Sequence, residues 1–71
     1  MPREIIPPAG SLGAAIRTRR HAAELSQDAL AEAAGISQSH MSALETGGVE
    51  PSMAVLRRLA ASLGCEARDL V

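Results

Sequence analysis

The chain is 71 residues long, which is room for one domain with a small core. It is 46% apolar yet has no Phe, Tyr or Trp, so its core must come from Leu, Ile, Val, Met and Ala, which suits helix-on-helix packing better than a β-sandwich. The net charge is −1, without the basic excess of a typical nucleic-acid binder, and a single cysteine excludes an internal disulfide framework; with no apolar run of membrane length and no signal-peptide pattern, the expectation is a soluble cytoplasmic protein.

Residues 1–10 contain Pro2, Pro7 and Pro8, which exclude a regular helix, and are expected to form a flexible N-terminal arm; residues 11–71 form the domain. Ser11 is placed to cap a first helix over about 12–23. Leu12, Ile16 and Ala23 share its apolar face, with Ala15 at the edge. Arg19 falls within that stripe and must carry its charge out to water, while Arg20 lies at the border. Ser26 caps a second helix over 27–34, Asp28 suits the dipole of its first turn, and Leu30, Ala31 and Ala34 form its buried side. Gly35 stops that helix.

Only Ile36 separates Gly35 from Ser37, the cap of a third helix that closes near Glu45, before Gly47 and Gly48. Met41 and Leu44 point inward by i, i+3 spacing. The opposite side carries Gln38, Ser39, Ser42 and Ala43, all short or neutral, where an ordinary solvated helix would carry Glu and Lys. Ser52 caps a fourth helix that buries Val55, Leu56, Leu59, Ala60 and Leu63 and ends at Gly64, with Arg57 and Arg58 turned outward. Glu66 to Leu70 suits a short fifth helix, and Leu63, Leu70 and Val71 offer an apolar patch for self-association. No strand-like alternation or internal repeat occurs, so the fold class is all-α.

Two short helices joined by a glycine-containing turn describe a helix-turn-helix. Ala31 and Ala34 let the helices approach, Gly35 permits the turn and Ile36 fills the corner. The small polar face of the third helix then suits a major groove about 12 Å wide. The basic residues are all arginines. Arg17, Arg19, Arg20 and His21 form one cluster and Arg57 with Arg58 a second, so a one-sided basic surface coexists with a nearly neutral sum. His21 and His40 lie on different helices with no Cys or carboxylate set to complete a metal site, and the Ser, His and Asp residues lack an elbow motif. Met41 reads as core and Cys65 as a small half-buried filler. The expectation is therefore a non-enzyme with no metal, cofactor or small-molecule ligand.

The segments LSQDALAEAAGIS, LETG and EPSMAVLRRLAASLG, in this order and spacing, resemble the lambda-repressor-like (Xre/Cro-type) helix-turn-helix family, and the likeness runs over residues 12–70. The resemblance implies a compact five-helix domain that binds a double-stranded, palindromic DNA operator as a weak homodimer, in a transcriptional regulator, most often a repressor. It implies that Gln38, Ser39, Ser42 and Ala43 face bases. Gln27 is implied to contact phosphate and steady the recognition helix, and Ser37, His40 and Thr46 with the Gly47–Gly48 backbone to lie near the DNA backbone. Arg17 adds non-specific attraction if its face turns toward the duplex. Arg20 and Glu45 match a partly buried ion pair that ties the first helix to the end of the third. Arg19 stands where the family is usually apolar, Glu66 where a Ser or Asp cap is common, and Ala43 where a longer reading residue is common; the last points to degenerate readout or contact with a thymine methyl. Two alternatives stay open: an antitoxin or restriction controller using the same chemistry, and a protein-interaction module that kept the fold without DNA binding.

Overall fold

Four serines begin the four α-helices, and each does so by the same bond. In the computed structural model, which describes residues 11–71, Ser11, Ser26, Ser37 and Ser52 have extended backbones. Their Oγ atoms accept from the N–H groups of Ala14, Ala29, His40 and Val55 at 3.0–3.2 Å. Each cap satisfies one of the donors that a helix start leaves without a partner. The helices are α1 (Leu12–Ala22), α2 (Gln27–Ala34), α3 (Gln38–Thr46) and α4 (Met53–Leu63). The expected fifth helix is a single 3₁₀ turn, Ala67–Asp69, whose start is held by the Glu66 N–H donating to the Asp69 carboxylate at 2.9 Å. No strand occurs among the described residues. The arm expected at residues 1–10 lies outside them.

All four helices also end alike. A backbone N–H two residues beyond the last helical residue, or three in α1, bonds a carbonyl five positions back: Leu25 to Arg20, Ile36 to Ala31, Gly48 to Ala43 and Cys65 to Ala60. That closure needs one residue in the left-handed conformation. Gly35, Gly47 and Gly64 provide it after α2, α3 and α4, but after α1 the position is Glu24, at φ 57°. A side-chain-bearing residue there costs about 1–2 kcal/mol. Glu24→Gly removes that strain and gives back part of the gain as unfolded-chain entropy, so we expect a net stabilisation of about 0.5–1 kcal/mol, read as a rise of a few degrees in Tm. A lowered Tm would show that the Glu24 side chain contributes more than its backbone costs.

The core runs through all four helices and the C-terminus. Ile16, Leu30, Met41, Leu44 and Leu59 are its largest fully buried side chains. α2 packs on α3 and α4, and α1 on the same two helices. Leu70 is buried with them, so it is core and cannot belong to an exposed self-association patch; Leu63 is half-buried and Val71 exposed. α1 stops one residue short of Ala23, which is exposed rather than part of the apolar face. Arg58 is exposed as expected, yet its Nη1 reaches back 3.3 Å to the carbonyl of Ala34 and so serves the C-terminal end of α2.

Candidate nucleic-acid interface

α3 buries one side and leaves the start of the other exposed. Met41, Leu44 and Glu45 are buried, whereas Gln38, Ser39 and His40 are exposed and Ser42, Ala43 and Thr46 half-buried. The helical period thus separates the residues as expected: the four residues implied to face bases lie away from Met41 and Leu44. None of them is charged, and only Gln38 has a side chain long enough to reach far from the backbone.

The functional side chains are not independent. Arg20 and Glu45 form a two-pronged pair: the Arg20 Nε donates to Glu45 Oε2 at 2.7 Å and its Nη2 to Oε1 at 3.0 Å. Arg20 Nη1 also donates to the carbonyl of Leu25 at 2.9 Å, and Nη2 lies 3.2 Å from Nε2 of His21. The pair is more deeply buried than its place at a helix border suggests: Arg20 keeps 8% and Glu45 2% of their exposure. Glu45 Oε1 takes one further bond, from the Nε2 of Gln27 at 3.3 Å, and the Oε1 of Gln27 in turn accepts from the Nε2 of Gln38 at 2.7 Å. A chain of hydrogen bonds therefore runs from Arg20 on α1, through Glu45 on α3 and Gln27 on α2, to the exposed Gln38 that opens α3.

The other implied contacts fare differently. Ser37 accepts the N–H of His40 and keeps its own hydroxyl proton to give. Thr46 spends its proton inside the helix, on the carbonyls of Ser42 and Ala43 at 3.1 and 3.3 Å. The N–H groups of Gly47 and Gly48 are likewise used, on Leu44 and Ala43. The end of α3 thus offers no ready donor from Thr46 or these two amides. Arg17 is half-buried on α1, on the side that Gly13 and Arg20 turn toward α3. The Gln27–Glu45 bond went unforeseen, and so did the role of Gly13, which is buried with its α-carbon against the last turn of α3. Among the described residues no group of three or more His, Cys, Asp or Glu is placed to hold a metal, and no helix is long and apolar enough to cross a membrane.

A family described as "Helix-turn-helix domain" matches residues 11–71, the capped four-helix unit just described. The chain belongs to this helix-turn-helix family. Its fold is that of the lambda-repressor-like DNA-binding regulators. The DNA-binding domain of the P22 C2 repressor superposes with a TM-score of 0.84 at 30% identity, over 89% of this chain and 83% of that one. The restriction-modification controller protein C.AhdI from Aeromonas hydrophila gives 0.81 at 33% identity, over 84% and 91%. The same helix-turn-helix fold recurs in HppE, solved in its iron(II) form with substrate, at a TM-score of 0.78 and 26% identity. There it covers 90% of this chain but 36% of that one, so the likeness does not extend to most of HppE. No curated protein sequence matches the chain.

Proposed function

We propose that this helix-turn-helix domain binds double-stranded DNA sequence-specifically as a transcriptional repressor in the cytoplasm, and is not an enzyme, with α3 lying in the major groove. The observation that carries the proposal is the exposed Gln38 amide, held at the first residue of α3 by Gln27. Recognition helices present their N-terminal residues to base edges, and an amide matches adenine by donating to N7 while accepting from N6–H. Ser39, Ser42 and Ala43 follow on the same face; they are short enough to let the helix approach, and Ala43 suits a thymine methyl. Gln27 retains one N–H of its amide for a phosphate, beside Ser37 with its free proton and the exposed His40. Arg17 adds positive charge from α1. With its proton spent internally, Thr46 contributes to this surface only if its hydroxyl rotates.

A single module covers a short stretch of groove, so we further propose that two copies occupy a palindromic operator as a weak homodimer that forms on DNA. The burial of Leu70 leaves Val71 and the half-buried Leu63 for that contact, which is a small apolar area and fits weak association.

The test is selection of a preferred site from random duplexes, followed by Gln38→Ala. Affinity for that site is expected to fall by about 1–3 kcal/mol, with relaxed preference at one base pair and two chains bound per site. Unchanged affinity and preference would remove α3 as the reading helix. A wild-type chain that binds no duplex at low salt would point instead to an interaction module that lost DNA binding, in line with the net charge of −1.

A further inference from the structure

We propose that residues 1–10 fold back over α1 and dock in the open groove between α1 and the C-terminal 3₁₀ turn, with Ile5 and Ile6 on its apolar floor. The groove has a volume of about 410 Å³. Its floor is made by Ala14 and Ala15 of α1 with the buried Leu70, and the exposed Val71 stands at its rim. Ser11 is itself a lining residue, so the ten residues that precede it leave from the edge of the groove. Two opposite charges flank the floor. Arg19 lies one turn beyond Ala15 and Ile16 on the same face of α1, and its guanidinium makes no hydrogen bond or ion pair among the described residues. Asp69 is exposed and commits only one carboxylate oxygen, to the N–H of Glu66.

The sequence before Ser11 complements this surface. Residues 3–6 read Arg-Glu-Ile-Ile, one charge of each sign beside two large apolar side chains. Glu4 answers Arg19, Arg3 answers Asp69, and Ile5 and Ile6 then cover the alanines and Leu70. The length also fits. Along α1 the distance from Ser11 to Arg19 is about 12 Å at 1.5 Å per residue. With the reversal made at Gly10, residues 4–9 can span up to about 20 Å, and Pro7–Pro8 favours the extended form that this path needs. A second hollow also begins at Ser11, beside Val49, but the one charge on its lining is Glu50, which would repel Glu4. Val71 is the residue offered above to a second copy, so the segment and a partner are alternatives for one place.

The experiment uses the full 71-residue chain in solution without DNA, so its outcome is independent of the DNA-binding reading. Nuclear Overhauser cross-peaks are expected from the Ile5 and Ile6 methyls to those of Ala14, Ala15 and Leu70, unchanged on dilution. Ile5→Ser with Ile6→Ser leaves the buried core intact and is expected to abolish these cross-peaks. It should also lower Tm by about 5 °C or more, because two covered isoleucines become serines. Arg19→Glu should weaken the same cross-peaks at low salt, and Glu4→Arg added to it should restore them. Cross-peaks seen only between labelled and unlabelled chains would give the groove to a second copy. Cross-peaks to Val49 would place the segment in the neighbouring hollow, and cross-peaks that arise only after a duplex is added would assign it to DNA. Each of these results overturns the proposal, as does a wild type with no such contacts or a double serine variant with unchanged Tm.

Discussion

Arg20→Ala should remove a large share of the stability of the domain. The side chain joins α1 to α3 through two bonds to Glu45 and holds the α1–α2 turn through the Leu25 carbonyl. Removing it leaves the Glu45 carboxylate at 2% exposure without its cation, and breaking a buried pair in this way costs about 3–5 kcal/mol. A single domain of this size has a total stability on the order of 4–10 kcal/mol, so the loss is a large share of the whole. We expect a fall in Tm of well over 10 °C. Glu45→Ala should cost less than Arg20→Ala, because it leaves a guanidinium that can turn toward water and still bond Leu25. The double variant should be more stable than the sum of the two single losses, since it leaves neither charge stranded. Denaturant unfolding of all four proteins measures this coupling directly. Additive losses would mean that the two residues stabilise the fold separately, and that their contact contributes nothing.

What could be read from the sequence divides by range along the chain. Ser11, Ser26, Ser37 and Ser52 announce helix starts because a cap bonds three residues ahead, and Gly35 and Gly64 announce ends for an equally local reason. The inward spacing of Leu30, Ala31 and Ala34, and of Met41 and Leu44, likewise follows from helical period and agrees with their burial. The Arg20–Glu45 pair spans 25 residues and was reached through the family resemblance, not through periodicity. Nothing local signals that Gln27 bonds Glu45 eighteen positions away, or that Leu70 folds back into the core. The expected patch of Leu63, Leu70 and Val71 failed for that reason: apolar character shows that a residue seeks burial, but not whether the domain or a partner buries it. Glu24 is silent in a different way. Its side chain gives no hint of a left-handed backbone, which is imposed by the closing bonds of α1.

Gly13→Ala should reverse the usual effect of alanine in a helix. At an exposed helical site the change from glycine stabilises by about 1 kcal/mol. Gly13 is instead buried where α1 meets the last turn of α3. A β-carbon there would lie 2.4 Å from the carbonyl oxygen of Glu45, 2.8 Å from that of Leu44 and 2.9 Å from the Glu45 carbonyl carbon. All three are backbone atoms, so no rotamer change relieves the overlap; the helices themselves must separate. Separation would stretch the Arg20–Glu45 bonds, about two turns further along the same face of α1, and with them the hydrogen bonds to Gln27 and Gln38. We expect a destabilisation of about 2–4 kcal/mol, at or above the usual upper range for overpacking. Gly48→Ala provides the contrast, because its β-carbon would meet nothing closer than 3.6 Å and should change stability little. The measurement is denaturant unfolding of both variants beside the wild type. If Gly13→Ala is as stable as the wild type, α1 and α3 are not held at the separation seen here. The tight crossing would then not be what fixes Glu45, and through it the start of the recognition helix.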